Sequence, residues 1–229
     1  MKKLVVLTGA GMSAESGIST FRDSDGLWMN YRVEDVATPE GFIKNPQMVL
    51  DFYNARRREV IEAKPNAGHL GLAALEPYFD VRIVTQNIDN LHERAGSKLV
   101  IHLHGEVMKA CTMKDQETTY DLSPEHPDIH LGDKDRYGDQ LRPFIVWFGE
   151  PVPMIGLAID WMQESDIVVV IGTSLNVYPA AGLLNYVRNG QPIYLIDPKE
   201  VNTYRTDVTH LKMGASEGVK KLTEILLGK

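Results

Sequence analysis

The feature that most constrains this fold is a set of short, unbroken apolar runs, each closing on a small or polar turn. Leu4-Val5-Val6-Leu7 leads into Gly9-Ala10-Gly11, Val81-Arg82-Ile83-Val84-Thr85 into Gln86-Asn87, Ile167-Val168-Val169-Val170-Ile171 into Gly172-Thr173-Ser174, and Ile193-Tyr194-Leu195-Ile196 into Asp197. A weaker run spans Leu99-Val100-Ile101-His102-Leu103. Runs that are apolar at nearly every position and too short for helices belong to strands covered on both faces. Between them lie stretches with apolar residues three and four apart. Pro179 to Arg188 carries Ala181, Leu184 and Val187, and Ser216 to Leu227 opens on a serine suited to an N-cap. Alternating strands and helices predict an α/β protein, a parallel sheet with helices on both faces.

Two stretches interrupt that rhythm. Residues 31–66 contain an Arg- and Glu-rich helix opening on Asn45-Pro46, and residues 107–142 have no strong apolar period. Together they read as a small second domain, a helical module plus an insertion. Residues 1–30, 67–106 and 143–229 then form the larger, Rossmann-like nucleotide-binding domain, with a ligand cleft between the two. With Lys plus Arg at 24 and Asp plus Glu at 31, the net charge of −7 disfavours bulk nucleic acid and anionic membranes as partners. One cysteine, Cys111, supports neither an internal disulfide nor a multi-cysteine zinc cage. The four-residue apolar stretch after Lys3 is too short for a signal peptide or a membrane span, so a cytoplasmic protein is expected.

Chemistry-bearing residues cluster at the strand ends. Thr8-Gly9-Ala10-Gly11-Met12-Ser13-Ala14-Glu15-Ser16-Gly17 is a glycine turn between a strand and a helix start. Backbone amides there can approach a pyrophosphate, although the third glycine falls one residue late for a dinucleotide fingerprint and an ordinary tight turn fits as well. Asn87 and Asp89 leave a strand where open α/β sheets hold ligands, and Asp89 is equally suited to capping the helix that Gly96 closes. His104, before Gly105, is a candidate general base or a structural histidine. If the strand persists to His104, it faces the same side as His102, with no Cys or carboxylate at ligand spacing to complete a metal set. Asp197 is placed to take ribose hydroxyls.

These residues resemble the sirtuins, NAD-dependent protein-lysine deacylases. The resemblance rests on Gly9 through Arg22, on Gln86-Asn87-Ile88-Asp89-Asn90-Leu91-His92, on His104-Gly105, on Val146-Trp147-Phe148-Gly149-Glu150, and on Gly172-Thr173-Ser174, in family order from about residue 4 to the end of the chain. It implies that Gly9 to Trp28, with Ala10, Gly11, Ser13, Ala14, Glu15, Phe21 and Arg22, form an NAD-binding loop. Gln86, Asn87, Ile88 and Asp89 would line the nicotinamide and ribose pocket. Gly172, Thr173, Ser174, Asp197, Pro198, Lys199 and Ala215 would contact the adenosine half. His104 would be the base that takes a proton from a ribose hydroxyl, and Val146, Trp147, Phe148 and Gly149 would hold a substrate peptide as an added strand.

The resemblance also narrows the acyl group. Ala37 matches a small residue that widens the acyl pocket, and Tyr53 with Arg56 matches the pair of the succinyl- and malonyl-removing branch. Positions i and i+3 share a helix face, and a guanidinium beside a phenol suits a carboxylate. Arg57 and Arg58 are expected on a solvated basic face. Most sirtuins hold zinc with four cysteines, and the chain has only Cys111, so no zinc is expected. Asp197 stands where the family usually has Asn, and Ser19 where many members have Pro.

The expectation is therefore a monomeric NAD-dependent deacylase that takes succinyl, malonyl and also acetyl groups from protein lysines. Its products would be nicotinamide, free lysine and O-acyl-ADP-ribose. An ADP-ribosyltransferase or NAD hydrolase would use the same pocket. A non-enzymatic NAD sensor would need no base at position 104.

Overall fold

Leu4, Val5, Val6 and Leu7 are wholly shut off from solvent, as the central strand of a parallel sheet must be. The computed structural model describes residues 1–19 and 31–228. Its strands are β1 (Lys3–Thr8), β2 (Asp80–Thr85), β3 (Val100–His102), β4 (Gly105–Thr112), β5 (Tyr120–Asp121), β6 (Leu141–Ile145), β7 (Ile167–Ile171), β8 (Ile193–Ile196) and β9 (Val208–Leu211). Its helices are α1 (Gly11–Ala14), α2 (Val33–Val36), α3 (Pro39–Lys44), α4 (Pro46–Glu62), α5 (Ala67–Ala73), α6 (Leu91–Arg94), α7 (Ile155–Glu164) and α8 (Ala215–Leu227). Among the described residues, no helix is long and apolar enough to cross a membrane.

The large sheet runs β3-β2-β1-β7-β8-β9, and every pairing is parallel. Alternate residues of one strand serve opposite layers: Leu4 and Val6 pack with Leu72 of α5 and Val219 and Leu222 of α8, while Val5 and Leu7 pack with Ala158 and Met162 of α7. This is the α/β, Rossmann-like architecture that the apolar runs predict. Strand order reverses between β1 and β7, which makes their carboxyl ends the topological switch point where open sheets hold ligands. A third core lies apart from the sheet, where Val36, Phe42, Val49 and Phe52 of the helices meet Val107, Ala110, Ile145 and Trp147.

Several local expectations change. The stretch read as lacking a period contains β4, which pairs antiparallel with β5 and β6. A register shift between Glu106 and Ala110 breaks the alternation that would have revealed it. The Pro179 to Arg188 helix is a 3₁₀ segment, Ala180–Tyr186, with Gly182 weakening any α-helix there. Ser216 does not cap α8. Gly214 occupies the cap position, and the Ser216 amide donates to Glu15 Oε1 at 3.1 Å. Arg57 is not solvated but fully buried, donating from Nε to the Val107 carbonyl at 2.6 Å and from its NH1 group to Asn54 Oδ1 at 2.7 Å. Burial pushes its pKa down to about 10. Arg58 does reach solvent, paired with Asp128.

Candidate functional site

Two turns interlock at the switch point. The Gly9 amide donates to the Ile171 carbonyl at 3.0 Å, and that of Gly11 to the Gly172 carbonyl at 2.8 Å. Gly172 has φ +63°, and a Cβ there would lie 2.4 Å from the Met12 nitrogen, so only glycine permits this approach. The amides of Met12, Ser13, Ser16 and Gly17 also have carbonyl acceptors within the same turn. Its glycines thus serve the packing of two loops, and what the loop offers a ligand comes chiefly from side chains.

Those side chains form a buried polar network. Asn66 N donates to His69 Nδ1, which leaves the hydrogen of neutral His69 on Nε2, aimed at Ser13 Oγ at 3.5 Å. Ser13 donates to Asp89 Oδ2 at 2.9 Å and accepts from Asn87 Nδ2 at 3.1 Å. The other Asp89 oxygen accepts from the Leu91 amide at 3.1 Å, so the carboxylate joins the network to the start of α6, while Asn90 and not Asp89 holds the N-cap position. Burial raises the Asp89 pKa and lowers that of His69 to about 4. Thr8 donates to Thr85 at 2.8 Å, which assigns the hydrogen in its 3.1 Å contact with His92 to the His92 Nε2. Gln86 Nε2 donates to Thr173 Oγ1 at 3.0 Å, joining the second strand end to the fourth. His69 and Asn66 had no motif to mark them, and His92 closed the Gln86 to His92 motif with no role assigned to it; the fold brings all three here.

His104 is half-buried just beyond β3, which ends at His102 and so does not carry the two histidines as a same-face pair. Its Nδ1 lies 3.0 Å from the Gln86 carbonyl. A carbonyl only accepts, so Nδ1 carries the hydrogen and Nε2 keeps its lone pair. Burial lowers the His104 pKa and favours this neutral form, against the opposing Gln86 hydrogen bond. Gly105, at φ +84°, starts β4 where a Cβ would lie 2.2 Å from the Phe144 carbonyl, which is how the chain turns immediately after the histidine.

The segment after β6 gathers the remaining candidates. The Val146 amide donates to the His104 carbonyl at 3.0 Å, and that of Phe148 to the Ala37 carbonyl at 2.9 Å. Trp147 Nε1 donates to the Tyr53 hydroxyl at 3.1 Å. The Trp147 ring is buried in the small core, while Phe148 is half exposed and Gly149 turns at φ +93°. Glu150 takes both NH1 and NH2 of buried Arg142, at 2.7 and 3.0 Å, and the Trp147 amide at 2.8 Å. Tyr53 and Arg56 are both buried on α4. The NH1 group of Arg56 pairs with Glu59 at 2.7 Å, its NH2 group donates to the Ser19 carbonyl at 3.4 Å, and its Nε is buried without a partner among the described residues.

On the other flank, Asp197 follows β8, one of its oxygens taken by the Lys199 amide at 2.8 Å, with Pro198 and Lys199 exposed. Ala215 is buried at the start of α8, against Gly68 of α5. Ala14 and Glu15 are exposed on the turn after β1, and Ile88 and Ser174 are partly so. Phe21, Arg22 and Trp28 lie outside the described residues. Cys111 is buried with its thiol pushed up to about 11, and among the described residues no three His, Cys, Asp or Glu side chains are grouped to hold a metal.

Residues 9–179 match the profile of the Sir2 family. A protein from Bacteroides thetaiotaomicron named NAD-dependent protein deacylase is 58% identical, the match covering 99% of either chain. A protein of the same name from Helicobacter pylori is 51% identical over 89% of this chain and 88% of its own. The fold is similar to that of a Sir2 homologue solved with NAD, at TM-score 0.87 and 39% identity over 99% of this chain and 90% of that one. It is also similar to a mutant Sir2 homologue in complex with ADP-ribose, at TM-score 0.89 and 39% identity over 100% of this chain and 94% of that one.

Proposed function

The chain belongs to the Sir2 family and is an NAD-dependent protein deacylase, and we propose that its acyl pocket selects groups ending in a carboxylate, succinyl and malonyl, with acetyl alongside them. The donor set suits NAD. Hydroxyls of Ser13, Thr173 and Ser174, amides of Gln86 and Asn87, and carboxylates of Asp89 and Asp197 ring the carboxyl ends of four parallel strands, and they match the hydroxyls and carboxamide of a dinucleotide. We assign the ribose nearest the chemistry to Asn87, Asp89 and Ser13, and the adenosine half to Gly172 to Ser174 and Asp197 to Lys199. NAD, when bound, supplies the ribose carbon from which nicotinamide departs and the hydroxyl that receives the acyl group.

The chain's own part is proton handling and positioning. With Nδ1–H committed to the Gln86 carbonyl, His104 takes a proton at Nε2. Val146 to Gly149 is the edge against which an acyl-lysine peptide would pair. The division into residues 31–66 with 107–142 and the remainder belongs to the same reading, as do a monomeric state, a cytoplasmic setting and a zinc-free small domain.

The observation that carries the acyl proposal is the convergence on residues 146–148. His104, Ala37 and Tyr53 each hydrogen-bond one of those three residues, which supports reading the base, the small residue and the phenol as bordering one acyl channel. Arg56 stands one helical turn beyond Tyr53 with an Nε that has no partner among the described residues, where a carboxylate would find a charged donor. The test is kcat/KM on matched succinyl-, malonyl- and acetyl-lysine peptides for the wild type and Arg56→Met. Breaking a buried charge pair costs about 2–5 kcal/mol, so the first two activities should fall about 30-fold or more while deacetylation holds or rises. Equal losses on all three would overturn the acyl assignment. Nicotinamide release without peptide deacylation would point to NAD hydrolysis.

A further inference from the structure

Three consecutive carbonyls of the Gln86–Ile88 turn are each held by one short stretch of chain. Gln86 O takes His104 Nδ1 at 3.0 Å, Asn87 O takes His102 Nδ1 at 2.9 Å, and Ile88 O takes the Val107 amide at 2.9 Å. The middle contact differs in kind. His102 Nε2 lies 2.8 Å from Glu93 Oε1, so both ring nitrogens face oxygens that only accept at neutral pH. An imidazole can satisfy two acceptors only as the doubly protonated cation. Its side chain is 6% exposed, so this charge has little water to share it with.

We propose that His102, held as an imidazolium by Glu93, is a positioning residue of the deacylase: it pins the Asn87 carbonyl and so sets the turn that presents Gln86 to His104 and Asn87 and Asp89 to the ribose pocket. Both ring nitrogens of His102 are taken up by Asn87 and Glu93, so neither His102 nor Glu93 is assigned a part in the proton transfer. Both act through the turn. The groups facing His102 are consistent with a cation. Glu93 comes from α6, Glu106 from β4 and Asp89 from the turn itself, with His92 the opposing neighbour from α6. Lys109 offsets part of the acidic field by pairing with Glu106 at 2.8 Å. Burial opposes the charge, but Glu93, Asn87 and Glu106 outweigh it and hold the His102 pKa above its ordinary value. His104, two residues on, is held below its own. The two pKa values are therefore displaced in opposite directions, one histidine kept charged to hold the turn and one kept neutral to accept a proton.

The sign follows. As pH rises through the His102 value, the ring keeps one proton, which stays at Nε2 with the stronger acceptor, the Glu93 carboxylate, and the Nδ1 lone pair then faces the Asn87 carbonyl. The contact becomes repulsive and the turn loosens. Activity should therefore have an alkaline limb belonging to His102 and an acid limb belonging to His104. Glu93→Gln keeps an acceptor oxygen but removes the charge. In this variant the alkaline limb of kcat/KM for NAD should move down by about 1–3 pH units, with the acid limb in place. In ¹⁵N-histidine spectra of the NAD-free protein, the His102 midpoint should move down with it. His102→Asn, which retains a neutral donor for the Asn87 carbonyl, should lose the alkaline limb while keeping measurable turnover. It decides the matter alone if Glu93→Gln does not fold. An alkaline limb that stays where it was in either variant, or a His102 midpoint unmoved by Glu93→Gln, would overturn the proposal.

Discussion

The indole nitrogen of Trp147 donates to the hydroxyl oxygen of Tyr53 at 3.1 Å, across 94 positions of sequence. An indole N–H has no lone pair to offer, so Tyr53 is the acceptor in this bond and its own hydrogen is left to donate elsewhere. The ring that makes the bond is itself fixed, with the Arg142 guanidinium 3.6 Å above its centroid and Glu150 holding its amide. On the acyl assignment proposed above, a phenol oriented in this way would be a preset donor for the acyl carboxylate.

Trp147→Phe removes the donor and keeps an aromatic ring in the core. Tyr53 is then free to turn. A hydrogen bond to a charged group is worth about 1.5–3 kcal/mol, so the succinyl-to-acetyl ratio of kcat/KM should fall about 10- to 100-fold. Matched peptides measure it, and an unchanged ratio would mean that the indole does not set the phenol.

The Arg142–Glu150 pair should be the main polar staple of the small core. Both side chains are almost fully buried. Glu150→Gln leaves an uncompensated guanidinium and should cost about 3–5 kcal/mol in urea unfolding. Adding Arg142→Met to that variant should recover part of the loss. If the loss in the double variant equals the sum of the losses in Glu150→Gln and in Arg142→Met alone, the pair is not coupled.

His104→Ala should lower deacylation by about 10²–10⁴-fold while NAD affinity, read by calorimetry, is retained. In the wild type, burial holds the His104 pKa below its usual value, so the neutral base survives to lower pH. Activity should fall only as pH drops through that depressed value. An acid limb at or above the pKa of free histidine would contradict this.

Stability should weaken on the acid side for a separate reason. Burial holds His69 at about 4 and His92 well below its ordinary value, so both are neutral in the native state. The unfolded chain binds those protons near pH 6.5. Their contribution is therefore complete above that pH and is lost as pH falls toward the native values, at up to about 1.4 kcal/mol per pH unit for each. Asp89, raised by burial, takes up a proton in the native state first and blunts the fall at the acid end. Urea midpoints between pH 7 and 4 check this, and His69→Gln should flatten the slope.

The large sheet was legible in the sequence because its evidence is local. Val168, Val169 and Val170 can only be a strand covered on both faces, and parallel strands place every carboxyl-end turn on one edge, so the Gly9, Gln86, Gly172 and Asp197 turns had to meet. The polar network was not legible. His69 reaches Ser13 across 56 positions and Asn66 reaches Met12 across 54, and no spacing rule links residues so far apart. Strand β4 escaped notice because its bulge breaks the alternation by which a strand is read.

Arg57 and Arg58 show where the division falls. The residues are identical and adjacent, and α4 is clear from its Asn45-Pro46 start, so the sequence by itself determined a helix with two cations about 100° apart on its surface. Which of them enters the core was decided by tertiary structure alone. Strand β4 packs across α4 and presents the Val107 carbonyl to one side, where Arg57 donates to it at 2.6 Å. Arg58, one position on, points away from that strand toward water and Asp128. A buried guanidinium needs acceptors at fixed places, and those places exist only once distant segments have come together.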